Sequence, residues 1–467
     1  MSTFYSPELL YLDGAFVGGK GLLVDEHGRI QSVCGSHDAG SARIVNFPGK
    51  ALLPGFVNAH SHSFQRLIRG KSESRIASGK DFWSWRGTMY HAAAQLSPDD
   101  VFDVARMAFL EMVLAGTTTV GEFHYLHNDV SGRPYDDPNL LAKQVIAAAR
   151  SVGVRIVLLR TAYLRSGYQL PPDPGQVRFF ESSTDFIQNM QALTDEYSRA
   201  YPDVRFGVAP HSIRAVPLHD LEGIAAWANR MHLPLHMHVS EQVAENEACL
   251  REYGYTPVQL LGRNNILNDR FTAVHSIHIR PDEMEQLADS RSTVCSCPTT
   301  ERNLGDGIFA ADQIMSSSIR VALGSDSQAQ IDPLEDAREL DYHLRLRDQQ
   351  RAILDSIEGR PIAERLLSCA TKNGAHALSV PAGEFIEGSL ADGFTVDLDD
   401  LSIAGHSYED LLPILVFSLN RSAIRDVIVR GKCIIRDGEH ALHHEIVTRY
   451  KEVHTRVWNG DHSRRNL

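Results

Sequence analysis

Eight apolar, β-rich runs alternate with helix-like stretches through the middle of the chain, and this rhythm limits its possible folds more than any other feature. The runs cover residues 51–57, 117–123, 155–162, 205–209, 234–239, 271–274, 292–297 and 320–324. Runs that are apolar throughout suit strands of a parallel sheet covered on both faces. The helix-like stretches include 97–115, 138–151, 184–200, 218–231, 245–253, 311–317 and 333–354. In the first of these Ser97 can cap, Pro98 takes the first helical position, and Asp99 and Asp100 complement the helix dipole. Eight β/α alternations predict an α/β chain folded as a (β/α)8 TIM-type barrel, whose catalytic groups sit at the C-terminal ends of the strands. The two ends of the chain read differently. Residues 1–50 and 383–450 hold short alternating runs with turn signals such as Asp13-Gly14 and Gly431-Lys432. The expected organisation is a small β-sandwich domain built from both termini (1–57 and 383–467) around a barrel (58–382). The stretch after Ile446 is polar and reads as a helix or a tail.

Five short segments at the ends of these runs carry metal-binding or proton-transfer side chains: Asn58-Ala59-His60-Ser61-His62, His211-Ser212-Ile213-Arg214, His236-Met237-His238-Val239-Ser240-Glu241, Val274-His275-Ser276 and Gly324-Ser325-Asp326. A hydrolytic metal ion needs neutral imidazoles and carboxylates as ligands, with one position left for water. His60 and His62 alternate with Ser61, so both imidazoles project to one side of a strand. A single His-x-His is weak evidence; the five segments together, each closing an apolar run, are strong evidence. Composition narrows the partners. A net charge of −13 argues against a general nucleic-acid or anionic-membrane binder. No apolar run reaches the length of a membrane span and no signal peptide is visible, so no membrane partner is expected. Six scattered cysteines are too few for a disulfide scaffold, and Cys295-x-Cys297 lacks the second pair of a structural zinc site. Reduced core cysteines and a cytoplasmic location are expected. A homodimer is the expected assembly, with no sequence feature fixing it.

Barrel, split β domain, His-x-His after strand one, His-x-x-Glu after strand five, His after strand six and Asp after strand eight together resemble the amidohydrolase superfamily, in its mononuclear deaminase branch. Within that branch the chain resembles the formimidoylglutamate deiminases of histidine breakdown. The similar stretches are His62-Ser63-Phe64-Gln65-Arg66, Trp83-Ser84-Trp85-Arg86, Glu122-Phe123-His124-Tyr125, His211-Ser212-Ile213-Arg214 and Asn303-Leu304-Gly305-Asp306-Gly307. The resemblance implies one Zn2+ per subunit held by His60, His62, His238 and Asp326, although the same ligand types accept iron, manganese or cobalt. His236 is the alternative ligand on the same strand, and its plainer reading is a packed histidine. The resemblance further implies Glu241 as proton shuttle, His275 as hydrogen-bond donor to the reacting atoms, and Asp326 as a ligand that shares the shuttle's duty. The implied substrate is a small dicarboxylate, N-formimidoyl-L-glutamate, converted to N-formyl-L-glutamate and ammonia. Arg86 and Arg214 would bind its carboxylates, since arginine does so bidentately. Gln65, Tyr125 and His211 would support them, and Trp83 and Trp85 would wall the pocket. Without the resemblance, Arg86 reads equally well as a surface residue. The chain departs from the family pattern at Ser327-Gln328, where many relatives place a histidine, and at Pro298-Thr299-Thr300-Glu301-Arg302, which is bulkier and more charged than expected. Two other readings compete: a deaminase or chlorohydrolase of a ring substrate (guanine, pterin or triazine type), and a barrel relative serving as a scaffold.

Overall fold

The computed structural model describes residues 2–73, 81–201 and 203–459. Eight parallel strands pair in chain order: Phe56–Ser61, Thr117–His124, Arg155–Ala162, Arg205–Pro210, Leu235–Val239, Phe271–His275, Thr293–Ser296 and Arg320–Leu323. The eighth returns to the first. Asp326 N donates to His60 O and His62 N to Asp326 O, each at 3.0 Å, across a parallel bridge between Ser61 and Asp326. Gly324 permits this closure, because a Cβ there would stand 2.7 Å from His60 Cβ and 2.8 Å from His60 O. Asn58 fastens the seam from within. Its Nδ2 donates to Ser325 Oγ (2.7 Å) and its Oδ1 accepts from Ser325 N (3.1 Å).

The predicted run 51–57 is the junction of two strands in different sheets. Arg43–Pro54 belongs to the second sheet, and the barrel strand starts at Phe56 and runs on through His60. Gly55 makes the corner where the chain passes the second barrel strand, and a Cβ there would meet Thr118 Oγ1 at 2.2 Å. An apolar run that crosses from one sheet into another shows no break in hydrophobicity, so periodicity alone does not find the corner. The helix Pro98–Leu114 carries the expected cap, with Ser97 Oγ accepting from Asp100 N at 3.2 Å and Asp100 Oδ2 accepting from Ser97 N at 2.8 Å. The stretch read as 333–354 is shorter, a helix over Pro333–Asp348 that ends where Gln349 turns left-handed (φ 55°). The polar C-terminal stretch is the helix His443–Asn459.

The second sheet is mixed, has eight strands, and takes them from both termini. Thr3–Leu12 lies parallel to Arg43–Pro54, which pairs on its other side with Gly393–Asp397. The sheet closes around its own core, which includes Tyr5, Leu10, Leu22, Ile30, Phe47, Leu52 and Ile428. Arg155 on the third barrel strand reaches across to Asp392 of the small domain, Nη2 lying 2.8 and 2.7 Å from its two carboxylate oxygens. Both partners are buried, so removing either alone is expected to cost about 3–5 kcal/mol by stranding the other charge. Beneath the barrel the short helix Lys372–Ala377 plugs the N-terminal ends of the strands, with Asn373 Nδ2 donating to Val321 O at 2.9 Å. No described helix is long and apolar enough to cross a membrane.

Candidate active site

At the C-terminal end of the barrel three imidazoles and a carboxylate converge. His60 Nε2 lies 3.2 Å from both His62 Nε2 and His238 Nε2, and Asp326 Oδ1 lies 3.4 Å from His60 Nε2 and 3.2 Å from His62 Nε2. All four ligand atoms fall within 4.8 Å of one another and all four residues are buried. A tetrahedron with zinc–ligand bonds of about 2.0–2.1 Å has edges of roughly 3.3 Å, so these spacings fit one zinc-sized cation. The second ring nitrogens set the tautomers. His62 Nδ1 donates to Phe123 O (2.8 Å) and His238 Nδ1 to His211 O (2.9 Å), which leaves each Nε2 with a lone pair for a metal. Burial pushes His60 down to about 3 and His238 well below the ordinary histidine range, so these imidazoles are neutral. His236 does not join them. Two residues back on the same inward face, it lies one layer deeper, where its Nε2 donates to Ala377 O at 2.9 Å.

Of the three catalytic candidates, Glu241 and His275 border this cluster and Asp326 belongs to it. Glu241 follows Ser240, whose φ of 53° turns the chain out of the fifth strand, and its backbone N donates to Glu245 Oε2 at 3.0 Å. Burial first, then the negative charge of Asp326, raises the Glu241 carboxyl above its ordinary range, as a group that must hold a proton in transit requires. His275 sits at φ 71°, a left-handed conformation costly for a non-glycine residue and common at functional sites. This turns its Nε2 to within 3.7 Å of Asp326 Oδ2, while its Nδ1 donates to Glu301 Oε1 at 3.1 Å. Burial pushes His275 down, yet Glu241 and the bonded Glu301 outweigh it and raise the imidazole well above its usual range. Asp326, itself at φ 45°, is pushed up by burial but held well below the carboxylate range by His60 and His62.

One pocket opens over these groups, and it brings together every substrate-binding candidate: Gln65, Arg86, Tyr125, His211 and Arg214. Gln65 Nε2 donates to Tyr125 Oη at 2.6 Å, while its buried Oε1 has no partner among the described residues. Arg86 comes from the helix Asp81–Ala93, which was not foreseen, and is buried, its Nε donating to Tyr90 Oη at 2.9 Å. Arg214 lies in the turn after the fourth strand. Its side chain makes no hydrogen bond or ion pair among the described residues; Glu245 and Glu241 influence it only through space. Trp85 lines the pocket with Tyr90, Tyr163 and Phe179, whereas the side chain of Trp83 lies outside the described residues.

Three residues take supporting roles that the sequence does not reveal. Glu301, inside the segment marked only as bulky and charged, bonds His275 and is pinned by Cys297 N (2.7 Å) and Ser296 Oγ (2.9 Å). Glu122 accepts from Ser61 Oγ (2.6 Å), Ser63 N (2.7 Å) and Ser63 Oγ (2.6 Å), which fixes the backbone on both sides of His62. Gln328 bridges the barrel seam: its Nε2 donates to Ser61 Oγ (2.9 Å) and Asp326 O (3.0 Å), and its Oε1 accepts from Ser325 Oγ (2.9 Å). It therefore supports the metal-binding end from behind instead of facing the pocket.

The model of the Amidohydrolase family matches residues 51–434. The chain belongs to the amidohydrolase family. Among curated relatives of this amidohydrolase, the formimidoylglutamate deiminase of Pseudomonas aeruginosa is 36% identical over 84% of the chain and 86% of its own length. A 5-methylthioadenosine/S-adenosylhomocysteine deaminase of Pyrococcus horikoshii is 26% identical over 94% of the chain and 96% of its own length. Among solved structures, an amidohydrolase from Brucella melitensis superimposes with a TM-score of 0.89 at 30% identity, covering 97% of this chain and 99% of that one. An adenosine deaminase from Xanthomonas campestris, solved with bound zinc, shares the fold at a TM-score of 0.82 and 23% identity, over 97% of this chain and 98% of its own. The activity of this amidohydrolase is accordingly hydrolysis at a carbon–nitrogen bond.

Proposed function

We propose that this amidohydrolase is a zinc-dependent deiminase that hydrolyses N-formimidoyl-L-glutamate to N-formyl-L-glutamate and ammonia, a step of L-histidine degradation. The observation that carries the reading is Arg214, a guanidinium facing the pocket without an ion-pair partner among the described residues, with Arg86 lining the same space. A cation lining a pocket is stabilised by an anionic ligand, and two arginines suit two carboxylates. The 36% identical formimidoylglutamate deiminase supports the same substrate.

Zinc held by His60, His62, His238 and Asp326 would supply a water acidic enough to yield hydroxide near neutral pH. The remaining work falls to the chain's own groups. Glu241 takes the proton of the attacking water and delivers it to the departing nitrogen, which leaves as ammonia. His275 Nε2–H lies 3.7 Å from Asp326 Oδ2, too far for a strong hydrogen bond, and so is free to steady oxygen at the reacting carbon. Tyr125 and Gln65, already bonded to each other, orient the amidine against the arginine-bound end. A second reading, hydrolysis of a ring amidine, is favoured by the aromatic wall of Tyr125, Tyr163 and Phe179. Ammonia release from formimidoylglutamate, formimidoylaspartate, guanine, cytosine and 5-methylthioadenosine separates the two. Turnover of formimidoylglutamate well above the others is expected, and turnover confined to the ring compounds would replace it with the second reading.

A further inference from the structure

The opposite end of the barrel carries a second concentration of positive charge that catalysis does not use. A cavity of about 410 Å3 lies between the start of the eighth strand and the helices Ile362–Ala370 and Lys372–Ala377. Arg320, Arg360, Arg365 and Lys372 line it, against one carboxylate, Glu384, among the described lining residues. The chain as a whole holds 59 acidic and 46 basic residues, so four cations to one anion among the described lining residues reverse its general balance. Two of the four cations are not spent on internal pairing among the described residues. Arg360 and Lys372 make no side-chain hydrogen bond or ion pair among the described residues. Arg320 has one, from Nη1 to the carbonyl of Arg291 at 3.2 Å. Like charges around a concave, partly desolvated space repel one another and raise the local potential, which an incoming anion relieves. Asn373 and Ser368 add polar groups to the lining.

We infer that this cavity is a binding site for a small multivalent oxyanion, either a phosphate group or a polycarboxylate, distinct from the catalytic pocket. The two sites lie at opposite ends of one strand: Arg320 opens the eighth strand in this cavity and Asp326 follows its other end in the metal cluster. The test is calorimetric titration of the full chain in low-salt chloride buffer with inorganic phosphate, with citrate, and with sodium chloride as the monovalent control. Saturable binding of phosphate or citrate at one site per chain is expected. It should weaken at least tenfold in Arg360→Met and in Lys372→Met, yet stay unchanged in Arg214→Met. Arg360 is exposed, so its variant should fold and melt as the parent does. Stronger binding of phosphate assigns a phosphate-bearing ligand, and stronger binding of citrate a polycarboxylate. Absence of saturable binding by either overturns the inference, as does binding that both methionine variants retain or that Arg214→Met abolishes.

Discussion

His275 and Glu301 form a buried pair, Nδ1 to Oε1 at 3.1 Å, in which the carboxylate is also held by Cys297 N and Ser296 Oγ. Glu301 lies outside the four-residue metal cluster and does not itself line the pocket, so its part is to position: it holds the His275 ring with Nε2–H on the side of Asp326 Oδ2. Glu301→Gln keeps the shape and loses the charge. Turnover should fall at least ~10-fold, the scale of losing an oriented supporting group at such a site, with metal content and KM little changed. Full turnover in the glutamine variant would show that His275 needs no such partner.

Removing the shuttle should stop chemistry while the site stays assembled. Glu241→Gln is expected to keep its metal and bind substrate while turnover drops by at least ~10²-fold, as for general acid–base groups. Elemental analysis and kinetics on one preparation check this, and parental turnover in a metal-loaded sample would reassign the role.

The two histidines of the fifth strand should separate cleanly. His60→Ala, His62→Ala, His238→Ala and Asp326→Ala should each lower bound metal, because their atoms form the 3.2–3.4 Å cluster. His236→Ala should retain it, since that ring is bonded to Ala377 O. Metal analysis of the five purified variants decides the point, and metal loss confined to His236→Ala on this strand would move the ligand one layer down.

His236 should also make stability depend on pH. Burial lowers its pKa from about 6.5 to about 4, so between these values the unfolded chain binds the proton and the folded one does not. Stability is therefore full above about pH 6.5 and declines as pH falls toward 4, by roughly 3 kcal/mol for a shift of this size. His236→Gln can still donate to Ala377 O but does not titrate. Urea unfolding of chelator-treated protein between pH 7 and 4 should show a shallower decline for the variant, and identical slopes would remove His236 from the balance.

How far the sequence reveals this site follows from the range of the interactions involved. His60, His62 and His238 were legible because strand alternation and the ends of apolar runs are local properties, and barrel closure then brings them together. The layer occupied by His236 was not, because it depends on a plug helix more than a hundred positions away in sequence (141 between His236 and Ala377). Glu301 reads as an ordinary charged residue until the short helix Pro298–Leu304 folds it back against its own cap residue, Cys297. Arg86 lies on a helix whose segment, Asp-Phe-Trp-Ser-Trp-Arg-Gly-Thr, has no clear apolar stripe, so only the resemblance placed it at the pocket. In the sequence Gln328 stands out only as a departure from the family pattern, because its partners Ser61 and Asp326 meet at the seam between the first and eighth strands, which no local pattern announces.

The arginines should discriminate by charge more than by chemistry. If Arg214 and Arg86 hold the two carboxylates, Arg→Met at either should chiefly weaken capture of the dicarboxylate, seen as a fall in kcat/KM with a smaller change in kcat. Deleting one partner of a buried charged pair costs about 2–5 kcal/mol, much of it from the charge left unpaired, or roughly 30- to 4000-fold at 1.4 kcal/mol per tenfold. Arg214 should show the larger loss, because it has no internal hydrogen bond among the described residues while Arg86 already donates to Tyr90 Oη. For a truncated substrate such as formimidoyl-γ-aminobutyrate, one of the two methionine variants should lose little further activity, which identifies the arginine that held the missing carboxylate. This is a double-mutant cycle between enzyme and substrate. Equal losses on the full and truncated substrates in both variants would show that neither guanidinium reads a carboxylate, and the arginines would then be structural.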